Sequence, residues 1–245
     1  MRNNKFYNDL SSDYDSMLNI DKVINNRTSS LKKFIKREYK NAIDIGCGTG
    51  ADSIALAMNG LNVNGYDTSE KMIKKAKLNA KGKNLKIRFS NSPVQDIKST
   101  YNSKIDIVVS LGNAVANINT VTLNSIIRKV HKLLKPNGIF IIQILNYELV
   151  RKSNKRIVNI TKSKDSLFIR FYDFAKNKLI FNVLRINNSS QDFSLISTEL
   201  FEHKRNNLKA ILKQAGFSGI RFYSDLNESL FNSKESKDLI IIAKK

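Results

Sequence analysis

Ala42-Ile43-Asp44-Ile45-Gly46-Cys47-Gly48-Thr49-Gly50 decides the fold: a short, mostly apolar strand runs straight into a turn with glycine at every second position. Glycine is the residue that tolerates left-handed backbone and lets a ligand approach the main chain. In a doubly wound sheet the ligand lies beyond the C-terminal ends of the strands, over the first strand-to-helix turn. The spacing here is G-x-G-x-G with Asp44 ahead of it, not the G-x-G-x-x-G that holds a pyrophosphate, so a dinucleotide is disfavoured. Asp67 closes the next strand, and from that position a carboxylate can accept both hydroxyl hydrogens of a ribose. The turn alone could be a tight loop without a ligand. Paired with Asp67 it fits an adenosine without phosphates.

Working outward, residues 41–45, 62–66, 85–89, 105–109 and 139–145 are short apolar runs separated by segments long enough for helices. That alternation implies a parallel sheet covered on both faces. Helices are expected over 51–58, over 69–80 with Met72, Ile73 and Ala76 on one side, and over 121–134 with Ile126, Ile127, Val130, Leu133 and Leu134. Ser69 caps one helix and Pro136-Asn137-Gly138 ends another.

After Leu145 the pattern changes. Residues 156–160, 167–174, 179–186 and 193–201 read as strands joined by polar turns, an inserted antiparallel sheet. A helix over 206–215 ends at Gly216, and residues 219–223 and 239–243 supply two last strands joined by a loop alone, hence antiparallel. The stretch to Arg37 reads as helical and is placed as a lid or flank over the cleft.

The chain has 245 residues, room for one domain with a subdomain. Its composition, 41% hydrophobic and 26% charged, is that of a soluble globular protein, and its longest apolar runs cannot span a bilayer. Residues 1–18 lack the apolar core of a signal peptide, which makes a cytoplasmic location the default expectation with no membrane partner. One cysteine, Cys47, excludes a disulfide framework and a Cys-rich metal site, and no metal is expected. A net charge of +21 raises nucleic acid as a partner. The same charge also follows from a chain rich in Lys, Asn and Ile with no Trp and two Pro, the bias of coding sequence poor in G and C. The cations are scattered over 32–40, 71–88 and 151–164 without interleaved aromatics, and a solvated surface is the simpler account. Nucleic acid is possible but not favoured, and oligomeric state is unreadable.

The segments 42–50, Gly65-Tyr66-Asp67-Thr68-Ser69-Glu70-Lys71-Met72 and Leu134-Lys135-Pro136-Asn137-Gly138 resemble the successive motifs of class I S-adenosylmethionine-dependent methyltransferases. The resemblance implies an α/β, Rossmann-like, doubly wound seven-stranded sheet with an antiparallel terminal strand pair, an N-terminal helical lid and an inserted antiparallel β subdomain. On this division residues 1–40 form the lid, 41–147 and 204–245 the cofactor-binding core, and 148–203 the substrate cover. It also implies S-adenosyl-L-methionine as cofactor, with Asp44, Gly46, Cys47, Gly48, Gly50, Asp67, Thr68, Met72 and Leu111 around it. The fold generally offers the adenine a polar side chain after the third strand, for which Gln95 and Asp96 are the candidates; an ordinary turn is the alternative.

A narrower resemblance is to glycine and sarcosine N-methyltransferases, carried by Gly48-Thr49-Gly50-Ala51-Asp52-Ser53-Ile54, Ser110-Leu111-Gly112-Asn113, Asn146-Tyr147 and Asn25-Asn26-Arg27-Thr28. It makes Arg27 a candidate for the cofactor carboxylate, which a guanidinium fork suits, unless it is a solvated neighbour of a helix cap. It likewise makes Tyr14 a neighbour of the cofactor, unless it is a half-buried helix residue. The family tends to have His where this chain has Asn117, and an amide cannot act as a base.

Methyl transfer from a sulfonium needs alignment more than dedicated catalysts. Asn113, Asn146 or Tyr147 could assist an amine nucleophile, and Arg170, then Arg185, could take a substrate carboxylate, the alternative being outward-facing strand positions. His131 and His203 read as helix-side residues before bases. The leading expectation is therefore methylation of a small amine. An RNA methyltransferase is the alternative; enzymes acting on exocyclic base nitrogens usually carry Asn or Asp, Pro-Pro and an aromatic where this chain has residues 110–113. An inactive cofactor-binding protein is a third reading, against which the glycine turn and Asp67 are intact.

Overall fold

In the computed structural model, which describes residues 2–190 and 192–245, three helices precede the first strand: α1 (Arg2–Leu10), α2 (Tyr14–Leu18) and α3 (Ile20–Lys32). Strands and helices then alternate through β1 (Asn41–Ile45), α4 (Ala51–Met58), β2 (Asn62–Asp67), α5 (Glu70–Gly82), β3 (Arg88–Asn91), β4 (Ile105–Ser110), α6 (Thr120–Leu133) and β5 (Leu134–Leu145). After α7 (Tyr147–Ser153) come β6 (Ile157–Lys162), β7 (Ser166–Ala175), β8 (Lys178–Asn187) and β9 (Phe193–Leu200). The chain closes with α8 (Arg205–Gln214), β10 (Ser218–Tyr223) and β11 (Asp238–Lys244).

Seven strands pair in the order β10-β11-β5-β4-β1-β2-β3, with β11 antiparallel to both its neighbours. The order reverses between β1 and β4, so the crevice where a ligand belongs opens at the ends of these two strands. β4 is buried along its whole length, as a central strand covered on both faces must be. On one face α6 contributes Leu123, Ile126, Ile127 and Val130 to the core, and on the other α4 contributes Ala55 and Leu56.

Most boundaries fall within two residues of the sequence reading, and two starts differ by more. β3 begins at Arg88, because the preceding residues sit in the loop after α5. Pro136-Asn137-Gly138 does not terminate α6; the helix ends at Leu133 and β5 starts at once, with this tripeptide as an irregularity inside the strand. The ladder to β4 runs from Ile105↔Leu134 to Ile107↔Ile139, and Asn137 takes φ +66° in the bulge between.

β6 to β9 form a separate antiparallel sheet in sequential order. One face carries Phe168 and Val183 and packs on Phe6 and Leu10 of α1 and Met17 of α2. The N-terminal helices and the inserted sheet are therefore one layer over the crevice.

Candidate active site

The turn after β1 is held in place by β2: Gly46 N–H and Cys47 N–H donate to Tyr66 O at 2.8 and 3.1 Å. Gly46, Gly48 and Gly50 take φ of +70°, +51° and +91°, so each needs the freedom of glycine. A side chain on Gly46 would stand 2.7 Å from Ala114 Cβ, whereas one on Gly48 would project into open space. Gly50 lies under the turn, against Ala76 and Phe89, and serves packing.

The open space is a cavity of about 630 Å³. Of the expected cofactor residues, Tyr14, Arg27, Gly46, Cys47, Gly48, Asp67, Thr68, Met72, Gln95 and Leu111 line it. Asp44, Gly50 and Asp96 do not; Asp44 is buried behind the turn and Asp96 is exposed beyond it.

Asp67 is fixed by two backbone donors, Gly48 N–H to Oδ2 at 2.9 Å and Ser69 N–H to Oδ1 at 2.8 Å. Each carboxylate oxygen keeps acceptor capacity. Burial raises its pKa, against the opposing effect of those backbone bonds. Asp44 accepts from Ser53 Oγ at 2.7 Å, leaves its other oxygen buried without a partner, and is held well above the usual carboxylate range by burial and then by Asp52. Asp52 is raised by burial too, relieved in part by Arg27, whose Nε stands 3.0 Å from Oδ1 in an ion-pair contact that is not an aligned hydrogen bond. Arg27 also donates to Gln143 Oε1, which in turn accepts from Gly112 N–H at 3.2 Å. Burial raises the Cys47 thiol well above its ordinary value, which disfavours the thiolate that a nucleophile needs.

These groups suit a ligand bearing a diol, a carboxylate, positive charge and an amino-substituted ring. A buried carboxylate such as Asp67 can accept from a diol, a guanidinium such as Arg27 can fork onto a carboxylate, and buried carboxylates favour a cation. Gln95 Oε1 is buried without a hydrogen-bond partner, an acceptor for a ring amine.

The lid completes the walls. Asn4, Tyr7, Tyr14, Leu18, Val23 and Arg27 come from α1 to α3, and Ala114, Asn117, Ile118 and Phe201 close the opposite side. Tyr7 Oη accepts from Asn117 Nδ2 at 2.9 Å, and burial pushes its pKa up to about 12. Phe201 N–H bonds to Ala116 O at 2.7 Å, which ties the end of the inserted sheet to the turn after β4.

The five expected acceptor-side residues, Asn113, Asn146, Tyr147, Arg170 and Arg185, all lie outside this lining. Asn113 and Tyr147 engage each other, Nδ2 to Oη at 2.8 Å, and Asn113 Oδ1 also accepts from Leu145 N–H at 3.0 Å. Asn146 donates to Ser233 O and Ser236 O, both at 2.8 Å, and so anchors a loop. Arg170 is not outward-facing: it shares a face with Phe168 and bonds Asn159 and Thr161, and its charge lowers the Tyr14 pKa against the larger effect of burial. Arg185 pairs with Asp13 at 3.3 Å. His131 packs edge-on against Phe217, and buried His203 contacts Ile118 O at 2.7 Å.

Tyr7, Asp52, Asn117 and Phe201 line the cavity without having been assigned to it. Asp52 follows the glycine turn by two residues and is explicable as an ordinary first-turn acid. Tyr7 shares a helix face with Asn4, three residues apart, but only the docking of α1 reveals where that face points.

A family model described as a methyltransferase domain matches residues 36–216. Among curated relatives, a ubiquinone biosynthesis O-methyltransferase from Rickettsia akari is 32% identical over 104 residues, 42% of this chain and 39% of that protein. The chain thus spans well under half the length of that relative. A glycine/sarcosine N-methyltransferase from Aphanothece halophytica is 25% identical over 219 residues, 88% of this chain and 80% of that one. Among solved structures, an S-adenosylmethionine-dependent methyltransferase from Clostridium acetobutylicum superposes with a TM-score of 0.76 at 17% identity, covering 97% of this chain and 98% of the other. That likeness establishes the Rossmann-like fold.

Proposed function

The chain belongs to the methyltransferase domain family, enzymes that depend on S-adenosylmethionine, and from that premise we propose that it methylates the nitrogen of a small amine. The observation that carries this is that Tyr7 and Tyr14 of the lid, Asn117 of the turn after β4 and Phe201 at the end of the inserted sheet line the same cavity as the cofactor residues, with Tyr7 and Asn117 hydrogen-bonded to each other. The cavity's volume of about 630 Å³ for cofactor and acceptor together falls within the ~300–1,000 Å³ of small-molecule sites. The glycine/sarcosine relative aligns with 88% of this chain, more than the cofactor-binding core alone makes up, and supports the same reading.

When bound, the cofactor supplies an electrophilic methyl group on a sulfonium. The chain's part is to bind and align. Asp67 takes the ribose, Arg27 the methionine carboxylate, Gln95 the adenine, and the glycine turn admits the ligand to the main chain. Tyr7, neutral at physiological pH, keeps a lone pair and a hydroxyl hydrogen beyond its bond to Asn117, enough to orient an amine N–H. Alignment of this kind can supply most of the rate advantage of a displacement. Arg170, on the face turned toward Tyr14, is our candidate for an anionic substituent on the acceptor. Asn113 and Tyr147 support the wall behind Gly112 and Ala114, and their mutual bond keeps that wall in register. Residues 1–40 act as lid, 148–203 as acceptor cover, and 41–147 with 204–245 as cofactor-binding core.

The test is to supply methyl-labelled cofactor with small amines, phenols and total RNA in separate reactions. Label in an amine product supports the proposal, and label confined to RNA or to phenols refutes it.

A further inference from the structure

The face of the inserted sheet turned away from the lid is apolar. The ladders place Ile160, Ile169, Leu184 and Leu195 in one row across β6 to β9, and Lys162, Leu167, Ile186 and Phe193 in the next. Phe193 is 77% exposed, Ile160 58% and Leu195 55%. Among the described residues none of these side chains belongs to a buried cluster, whereas the alternating set, Phe168, Val183 and Ile196, is packed on the lid. A contiguous exposed apolar surface of this kind marks an interaction site.

We propose that this face is the two-fold interface of a homodimer. The rows themselves point to a second copy. A two-fold axis parallel to the strands, between β7 and β8, sets Ile160 over the partner subunit's Leu195 and Ile169 over the partner subunit's Leu184, so an apolar row meets an apolar row twice. The same axis sets Lys162, the one charge in either row, over the partner subunit's Phe193, where an ammonium is attracted by the ring. At the other end of the face the same axis sets Asn182 over the partner subunit's Phe171 and Asp173 over the partner subunit's Ile180, so the hydrogen-bonded chain of Asp173, Asn182 and Ser197 marks the less well matched edge. This self-matching is what an isologous interface requires. β7 and β8 are ten residues long; with strands ~4.8 Å apart and ~3.3 Å per residue the face spans roughly 600 Å² in projection, more as corrugated accessible surface. Specific interfaces bury roughly 600–1,000 Å² per partner, so the face reaches the lower end of that range. It is also the reverse side of the acceptor cover, so pairing would stiffen the sheet that carries Arg170.

Sedimentation equilibrium of the full chain reads the outcome. A dimer of two 27.9 kDa chains is expected, tightening as salt screens the repulsion between two copies of net charge +21. Leu195→Glu should weaken association at least tenfold while circular dichroism stays unchanged. Because Cys47 is buried and is the chain's one cysteine, the double variant Ile160→Cys with Leu195→Cys keeps the test sharp if the charged variant misfolds. Facing sheets stand ~10 Å apart, beyond the reach of a disulfide, so a short bis-maleimide is the probe: it should give a covalent dimer from the double variant and none from either single variant. A wild-type chain that is monomeric at 100 µM, a dimer untouched by Leu195→Glu, or the absence of the cross-linked dimer would each overturn the proposal, and so would retention of a different protein on this face in place of a second copy.

Discussion

Asp67 meets two demands with one carboxylate. Its oxygens hold Gly48 and Ser69 in place, and they face the cavity where a ribose would bind. Asp67→Asn sets an amide N–H₂ against a backbone N–H and removes the charge. Hydrogen bonds to charged groups contribute ~1.5–3 kcal/mol, so calorimetry should find S-adenosylmethionine bound at least tenfold more weakly by the variant. Unchanged affinity would contradict the placement of the ribose. Binding uses the ionised carboxylate, whose pKa burial raises, so affinity should also fall as pH is lowered through that raised value. Asp44 tests the same electrostatics through stability. Its folded-state pKa lies above its unfolded value, so the ionised group opposes folding, and acidification through the folded pKa removes the penalty. Asp44→Asn should therefore raise the melting temperature of the cofactor-free protein at pH 7, by ~2–4 °C per kcal/mol gained, with the gain shrinking toward acid pH. A lower melting temperature at pH 7 would show that the carboxylate is compensated by a partner. At this scale the glycine turn and Asp67 were legible because their chemistry depends on neighbours in sequence. Asp44 was legible as part of a motif but not as a buried charge behind it, because that depends on Asp52 and on the depth of α4.

Side-chain hydrogen bonds latch the start of the lid beside Asp67. Asn8 Oδ1 accepts from Ser69 Oγ at 2.7 Å and Lys71 N–H at 3.3 Å, and Asn4 Oδ1 accepts from Thr68 Oγ1 at 2.7 Å, so α1 is docked on the start of α5 just after Asp67. Asn8→Ala should loosen this latch, giving faster hydrogen exchange in residues 4–18 without the cofactor and weaker cofactor binding, while exchange in β4 stays slow. Exchange that is unaltered in the lid would show that its remaining polar contacts and its apolar packing on β7 and β8 hold it without Asn8. Alternation of apolar runs located the strands of the core and most helix ends. The N-terminal stretch was legible as a helical flank over the cleft but not in its packing, since the faces of α1 and α2 acquire meaning only against Phe168 and Val183. Nor could it show that α6 passes into β5 without a turn. Pro136-Asn137-Gly138 is a terminator by its chemistry, and the ladder from β4 absorbs it as a bulge.

Across the whole molecule the net charge of +21 is not focused on the cofactor cavity. A groove of about 1070 Å³ gathers Lys77, Lys81, Lys86, Arg88 and Lys104, but it opens at Asn41, Asn62 and Ile105, where the strands begin. The cavity lies where the strands end, so a polyanion in that groove would not present a base to the methyl group. Raising salt should therefore weaken adventitious RNA binding steeply while leaving turnover of a small acceptor within about twofold; parallel loss of both would tie the charge to catalysis. Charge was the least legible feature in the sequence, because a count cannot show on which end of a sheet the cations fall. Acceptor identity depends likewise on the inserted sheet, which follows no motif. The most direct measurement is tandem mass spectrometry of products after turnover with trideuteromethyl cofactor in one mixture of small amines, phenols and total RNA. The account predicts the trideuteromethyl group on the nitrogen of a small amine; its appearance on an RNA nucleoside or a phenolic oxygen, with every amine unmodified, would contradict it.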